Sequence, residues 1–272
     1  MFIDILKEAF KLLKKNLNLT QLIFIFFILL TIVTPAFSVL KLNIKAIPFI
    51  LLFFAVFCMF LSGLFYAFKK SVDYETNPPK NDNPFDLSPL YFAEFFQGVG
   101  MFFVKFLLAG IFILILFILL SIGFDFLIAH YVVIPEKIRL LFTSDIIFND
   151  AKMIDFANSL SQAEKIKLGK LSMAALLGMS FFGFITMLYP VILVVKENNF
   201  FKSFFISIKY LFKDIFVSFI LFLFFNICLV TASLLNASVA NNIIVSVIVI
   251  LLQCYLNVWY ILSLFVYYEK VK

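Results

Sequence analysis

Three amide side chains are the first candidates for a functional site, because they interrupt two long apolar runs. Asn226 lies near the centre of one run, and Gln253 and Asn257 lie one turn apart on the next. If the two runs form an antiparallel hairpin, Asn226 and Gln253 come to equal depth. Buried amides hydrogen-bond between membrane helices, at about 0.6–2 kcal/mol each. The pattern predicts a clasp between the two helices, and the alternative is contact with a ligand.

Other residue types with chemical potential are few. His130 is the only histidine, and Asp125 lies five residues before it. A water-exposed pair at the membrane boundary is the favoured interpretation, and a proton relay is the alternative. The sequence contains no GxSxG, HExxH, Walker A or GxGxxG motif, so hydrolase, metalloprotease and nucleotide-binding chemistry lack their signatures. We expect a non-enzymatic protein without a cofactor or a metal.

The composition indicates a membrane protein. Hydrophobic residues make up 64% of the chain and charged residues 14%, with a mean hydropathy of +1.10. Soluble domains average roughly 45–50% apolar and about 25% charged residues. The net charge of +6 comes from lysines that flank apolar runs, so the positive-inside rule explains it before nucleic-acid binding does. We therefore expect membrane lipids as partners and no nucleic acid.

Six apolar runs are long enough to cross a bilayer as helices. A transmembrane helix needs about 20 apolar residues, and barrel strands would alternate in pieces of about ten. The predicted fold is an all-α polytopic membrane protein with six transmembrane helices and additional interfacial amphipathic helices. The six runs are 19–40, 46–68, 101–128, 171–195, 215–235 and 243–266.

The distribution of basic residues predicts the orientation. Thirteen lysines lie in the N-terminal segment, in the two connections that follow the second and fourth runs, and in the C-terminal segment. Eight basic residues lie on the other side, six of them in one long connection that also carries acids. Cytoplasmic segments of membrane proteins carry the excess of Lys and Arg. We expect a multi-pass protein of the bacterial cytoplasmic membrane, with both termini in the cytoplasm.

The longest connection, 131–170, is predicted to be an extracytoplasmic insertion. It is too short for a domain with its own core, so the whole chain, 1–272, is interpreted as one integral membrane domain. Ser161 and Glu164 have the spacing of a capping box, which predicts the start of a helix that continues into the fourth run.

The lysine-bearing segments before the first and fifth runs resemble each other. At an offset of 195, Lys7 aligns with Lys202 and Lys14 with Lys209, each opposite apolar residues at helical spacing. A weaker copy without the lysines begins near Phe92. This predicts three units, each an interfacial helix followed by a hairpin. Their boundaries are 1–70, 86–196 and 197–272.

Residues 189–216 carry a resemblance to a known group of proteins. There an apolar run ends, an acid and a short polar break follow, and an amphipathic helix leads into the next run. This arrangement, with the segment Lys-Glu-Ala-Phe-Lys-Leu-Leu-Lys-Lys-Asn that starts at Lys7, resembles bacterial six-helix inner-membrane proteins. That group is related to the membrane domain attached to some glycerophosphodiester phosphodiesterases. The resemblance implies no catalytic residue, because the phosphodiesterase chemistry belongs to a separate soluble domain.

The leading functional hypothesis is a protein that binds, organises or moves lipids, or that scaffolds a membrane partner. A small transporter or channel subunit is the alternative, and an intramembrane enzyme comes third. A protein partner or a homo-oligomer stays open. Six lysines are predicted to face anionic headgroups, since each alternates with an apolar stripe. They are Lys7, Lys11, Lys14, Lys202, Lys209 and Lys213.

Overall fold

The apolar runs form helices in the computed structural model, and no strand occurs in the part of the chain that it describes. A helix satisfies every backbone amide within its own segment, which is what a bilayer requires. The structure describes residues 1–39, 47–76, 87–131, 155–156, 158–196, 199–239 and 242–272.

The main helices of these ranges are numbered in chain order. They are α1 (Phe2–Lys15), α2 (Leu19–Val39), α3 (Ile47–Thr76), α4 (Leu87–Tyr131), α5 (Gln162–Thr186), α6 (Tyr189–Val195), α7 (Phe200–Lys213), α8 (Ile215–Ser238) and α9 (Ile243–Val271).

Five segments of the described chain are helical, long and apolar enough to cross a membrane. They are α3, α4, α5 together with α6, α8 and α9. The predicted all-α, multi-pass membrane architecture is therefore confirmed. A sixth span depends on α2, from which α1 is bent away by 87°. The count of six stays a prediction.

The chain forms two compact units, of which the first contains Met1–Gly110 and Phe184–Lys272. Its centre is α9, which packs against α1, α2, α3, α6, α7 and α8. Every residue from Ile261 to Tyr268 is buried, so this part of α9 is enclosed on all sides. A helix buried around its whole circumference is apolar all round, as this stretch is.

The second unit contains Ile111–Gly183. Ser161 and Glu164 form the predicted capping box at the start of α5: the Ser161 amide donates to the Glu164 carboxylate at 2.8 Å, and the Glu164 amide donates to the Ser161 hydroxyl at 3.3 Å. Residues 132–154 and 157 of the predicted insertion lie outside the described residues, as do the side chains of Asp125 and His130.

The helix boundaries support only part of the predicted repeat. Both α1 and α7 contain 14 residues, and each ends at a break before the next helix begins. By contrast, α4 is continuous over 45 residues, so the interfacial helix predicted around Phe92 is wrong as a separate element. Its apolar residues are the first turns of a long helix. The similarity of the segments that begin at α1 and at α7 remains, and the threefold repeat stays without support.

A break divides the fourth predicted span. Residues Met187 and Leu188 form a turn between α5 and α6, and Pro190 lies in the first turn of α6. Proline has no N–H to donate to the preceding turn and clashes with its carbonyl, which interrupts a helix at this position. The sequence predicts a kink at Pro190 for this reason.

Two glycines bring α3 and α4 into close contact. A methyl group at Gly98 would lie 2.4 Å from Cβ of Tyr66 and 3.1 Å from Cα of Gly63. One at Gly63 would lie 2.7 Å from the carbonyl oxygen of Phe95. Small residues at such positions let membrane helices pack closely. On α4 the same face carries Tyr91, Phe95 and further buried aromatic residues.

This close packing predicts opposite effects for two substitutions in one helix. We expect Gly98→Ala to destabilise the protein by about 1–3 kcal/mol, because the added methyl group overlaps Tyr66. Gly100→Ala is the matched control, since no atom lies within 4 Å of its methyl position. It should leave stability unchanged or raise it by about 0.4–1 kcal/mol. Thermal unfolding of the purified protein in detergent measures both, and equal midpoints for the two variants would contradict the contact.

Candidate functional site

The two amphipathic helices, α1 and α7, each bury one face in the protein. On α1 the buried residues are Ile5, Ala9, Leu12 and Leu13. This face packs on α9, where the indole N–H of Trp259 donates to the carbonyl of Leu6 at 3.1 Å. On α7 the buried residues are Ser203, Phe204, Ser207 and Leu211, and this helix packs on α6, α8 and α9.

A second apolar face of each helix is exposed. On α1 it contains Ile3 and Phe10, which are seven residues apart and therefore lie on one side of the helix. On α7 it contains Phe201, Phe205 and Phe212, which are 49%, 55% and 53% exposed. The sequence predicts one apolar and one basic face, whereas the structure shows two apolar faces. One contacts the protein and the other faces outward, as for a helix that lies at a bilayer surface.

The six predicted lysines lie beside these outward apolar faces, but they differ in their partners. Lys11 and Lys213 are engaged by the protein: Lys11 lies 3.9 Å from the carboxylate of Glu75, and Lys213 donates to the carbonyls of Val271 and Lys272. Lys14 lies 4.9 Å from the centroid of the Phe10 ring. The remaining three are exposed, and no ion pair or hydrogen bond is found for them in the described part of the chain. They are Lys7, Lys202 and Lys209.

Ionic contacts gather the lysine-rich segments at one end of the first unit. Lys15 of α1 pairs with Glu75 near the end of α3 at 2.6 Å. Lys270 near the end of α9 pairs with Glu8 of α1 at 2.7 Å. The contact of Lys213 with the end of α9 brings α7 to the same end. The segments that the sequence assigns to the basic side are therefore adjacent in space.

A lysine and a tyrosine extend this basic end. Lys196, directly after α6, donates to the hydroxyl of Tyr210 on α7 at 2.9 Å. This hydrogen bond raises the pKa of Lys196 and lowers the pKa of Tyr210, since it favours the ammonium and the phenolate over their neutral forms. Tyr210 also packs edge-on against Tyr268 of α9. Because the partner of Lys196 is a phenol and not a carboxylate, the charge of Lys196 is not neutralised and adds to the positive potential at this end.

The predicted amide pairing is not what the hydrogen bonds show. Asn226 donates to the carbonyl of Phe222 and Asn257 to the carbonyl of Gln253, both at 2.8 Å and both within one helix. Gln253 instead donates to the hydroxyl of Ser233 at 3.3 Å. The three amides form no joint cluster.

The difference comes from the register of the α8–α9 hairpin. The ring of Phe225 lies 5.1 Å from the ring of Tyr260, so Asn226 is nearly level with Tyr260 and not with Gln253. Tyr260 is seven residues from Gln253, so the two helices are displaced by about two helical turns from the predicted register. Part of the difference arises because α8 continues to Ser238, past the predicted end of its apolar run, whereas α9 begins at Ile243 as predicted.

A buried polar cluster joins α1, α3 and α4, and it was not predicted. The hydroxyl of Tyr74 donates to Oε1 of Glu94 at 2.5 Å, and the hydroxyl of Tyr91 donates to Oδ1 of Asn16. Asn16 also donates to the carbonyl of Leu12, which closes the end of α1. In the described ranges, Glu94 is the only Asp, Glu, Lys or Arg side chain that is buried.

A signal for Glu94 was present in the sequence. It lies three residues after Tyr91 and four before Gly98, which is the spacing of one helix face. The predicted stripe through Phe92 and Phe96 is rotated from the buried one, since Phe96 is 68% exposed. If the buried face had been predicted from the position of Gly98, Glu94 would have been placed on the packed face of the helix.

Within the described residues, no group of three His, Cys, Asp or Glu side chains is placed to hold a metal ion. Comparison with family models, with curated proteins and with solved structures finds no match to this chain. The resemblance to the bacterial six-helix inner-membrane proteins therefore stays a prediction. The candidate sites that the geometry offers are the outward faces of α1 and α7 and the cluster around Glu94.

The hairpin register predicts which cysteine pairs can be crosslinked. In a background without Cys58, Cys228 and Cys254, a short bis-methanethiosulfonate reagent should join the pair Ser233→Cys and Gln253→Cys, with loss of a sulfinate at each disulfide formed. The pair Asn226→Cys and Gln253→Cys serves as the matched control and should react far more slowly, because it is displaced along the helix axis. A gel shift after protease cleavage measures both. Faster reaction of the control pair would support equal depth of Asn226 and Gln253 instead.

Proposed function

We propose that this protein is a non-enzymatic, multi-pass membrane protein that binds anionic phospholipids at the end where α1 and α7 lie. The observation that supports this is the shared arrangement of the two helices. Each has a face fixed to the bundle, an outward apolar face and lysines beside it. An interfacial helix that binds acidic lipids has this pattern of apolar and basic surface.

The attachment to α9 strengthens such binding. A free amphipathic peptide loses conformational freedom when it folds on a membrane, whereas α1 and α7 are already folded against the bundle. Lysines near an anionic surface contribute about 1 kcal/mol each. The outward phenylalanines add apolar area at the depth where headgroups meet acyl chains. Two helices that are already folded and lie at one end of the unit therefore favour the binding of acidic lipid there.

The cytoplasmic leaflet of the bacterial inner membrane is the proposed location of this end. Anionic lipids give that leaflet a negative surface potential, and the positive-inside rule places basic segments on the same side. The grouping of the lysine-rich segments in space agrees with this orientation. A role in scaffolding a membrane partner fits the same surface.

A small transporter or channel subunit remains the alternative proposal. It would need a polar path through the bundle. The amides of Asn226 and Asn257 bond to carbonyls of their own helices, so they do not supply one between α8 and α9. The lipid-binding proposal is therefore preferred.

Removal of the lysines without an acidic partner should weaken the binding of acidic lipid. We expect the fourfold variant Lys7→Gln, Lys14→Gln, Lys202→Gln and Lys209→Gln to bind phosphatidylglycerol at least about tenfold more weakly. Each lysine contributes about 1 kcal/mol to binding near an anionic surface, and screening by salt reduces the sum of the four contributions. Native mass spectrometry of the full chain in detergent measures the bound lipid. As a control, Lys165→Gln, Lys167→Gln and Lys170→Gln remove exposed charges from α5. If both variants lost the same affinity for phosphatidylglycerol, the effect would come from net charge alone and the proposed binding surface would be contradicted.

The proposed orientation predicts where reporters become active. A cytoplasmic reporter fused after Lys272 should be active, and a periplasmic reporter inserted within 145–155 should be active as well. The reversed fusions should be silent. The same side for both positions would contradict the six-span prediction, because three spans, an odd number, separate residues 145–155 from Lys272.

A further inference from the structure

The carboxylate of Glu94 is half satisfied. Its Oε1 accepts the hydrogen bond from Tyr74, whereas its Oε2 is buried and receives no hydrogen bond. The side chain is only 9% exposed. Two other acids at this end form ion pairs at the surface: Glu75, directly beside Tyr74, pairs with Lys15, and Glu8 pairs with Lys270. Within the described residues, Glu94 forms no ion pair.

A buried carboxylate oxygen without a donor is unfavourable, because the charge has lost its hydration and gained nothing in exchange. Proteins that retain such a group supply a cation or a donor from elsewhere. In membrane proteins, ionisable side chains inside the bundle mark binding sites and pathways for this reason. The orphaned oxygen therefore indicates a ligand with positive charge.

We propose that Glu94 binds a primary ammonium group, and that the ammonium belongs to the headgroup of an aminophospholipid. The inference rests on the proposed lipid-binding function and adds a second headgroup to it. Oε2 of Glu94 accepts one N–H of the ammonium in a charge-assisted hydrogen bond. Oε1 of Glu94 accepts from Tyr74, whose ring centroid lies 6.5 Å from that of Tyr91, so the carboxylate lies at an aromatic pair, a kind of neighbour that a cation tolerates.

An ammonium fits this environment better than a metal ion does. A hard cation such as Ca²⁺ takes six to eight oxygen ligands, and Mg²⁺ takes about six. Among the described residues, Glu94 belongs to no group of three His, Cys, Asp or Glu side chains that could form such a shell. An ammonium instead needs a few acceptors and tolerates aromatic neighbours. It also carries three donors, of which one matches Oε2 and a second can reach the hydroxyl oxygen of Tyr74, which is bonded to Oε1.

The position of the cluster explains why the amine would come from a lipid. Glu94 lies in the first turns of α4, and the residues joined to it are at the ends of α1 and α3, beside the basic end of the unit. The phosphate of an aminophospholipid would then face lysines while its ammonium reaches the acid. Tyr74, which donates to the carboxylate, is itself only half-buried, so the cluster lies close to the surface of the unit.

Chemical protection of the wild-type chain tests this proposal without a variant. The protein is placed in nanodiscs of phosphatidylglycerol alone, or of phosphatidylglycerol mixed with either phosphatidylethanolamine or phosphatidylcholine. A hydrophobic carbodiimide then modifies accessible carboxyl groups, and peptide mass spectrometry reports the fraction of unmodified Glu94, so that N-acylurea and amide products both count as modification, with exposed Glu269 as the internal reference. We expect phosphatidylethanolamine to slow modification of Glu94 about tenfold, as loss of a charge-assisted hydrogen bond would imply. Choline has no N–H and should not protect.

A further arm separates the two sources of an ammonium. Soluble ethanolamine is added to phosphatidylglycerol nanodiscs. Protection by the lipid but not by ethanolamine supports a headgroup, and protection by ethanolamine alone overturns the lipid assignment. Equal modification of Glu94 under all conditions overturns the proposal altogether.

A variant pair separates this inference from the proposed function. Glu94→Gln should lose the preference for phosphatidylethanolamine over phosphatidylcholine and keep binding of phosphatidylglycerol. Glu269→Gln removes an exposed acid at the same end and should keep both. Retained preference in Glu94→Gln contradicts the ammonium site, whereas unchanged phosphatidylglycerol binding in the fourfold lysine variant contradicts the proposed function alone.

Discussion

Two hydrogen bonds from α9 fix the amphipathic helices, and the basic end of the first unit depends on them. The indole of Trp259 donates to the carbonyl of Leu6 on α1, and the hydroxyl of Tyr267 donates to the carbonyl of Tyr210 on α7. Both donors belong to aromatic side chains whose rings are packed in the bundle, so each bond is made away from bulk water, where an unmet donor is costly. Because α9 bonds to both α1 and α7, the lysines of these two helices lie at the same end of the unit although they are far apart in sequence.

Much of the fold could be predicted because its signals are local. A run of about 20 apolar residues decides that a segment crosses a bilayer, whatever its neighbours do. The capping box of Ser161 and Glu164 and the break before Pro190 are equally local, since each involves one turn of helix. The amphipathic character of α1 and α7 follows from their period of 3.6 residues.

The sites were less predictable because they depend on which helix faces which. The spacing of Asn226 and Gln253 along the chain does not show how the two helices align, and the predicted hairpin register differs from the observed one by about two helical turns. The apolar face of α1 was expected to meet lipid, yet the protein itself covers Ile5 and Ala9. Glu94 was overlooked because it lies before the most apolar part of α4, where an acid is usually solvated.

Close helix packing is what turns Glu94 from a solvated acid into an orphaned one. Gly98 lets the backbone of α4 approach α3 until Tyr66 is in direct contact, and Glu94 lies one turn before that glycine on the same face. At this separation Tyr74 donates to Oε1, and Oε2 is buried without a hydrogen-bond donor from the described residues. A larger residue at position 98 would separate the helices and restore hydration of Glu94. The feature that stabilises the α3–α4 contact is therefore the same feature that leaves Oε2 in need of a cation.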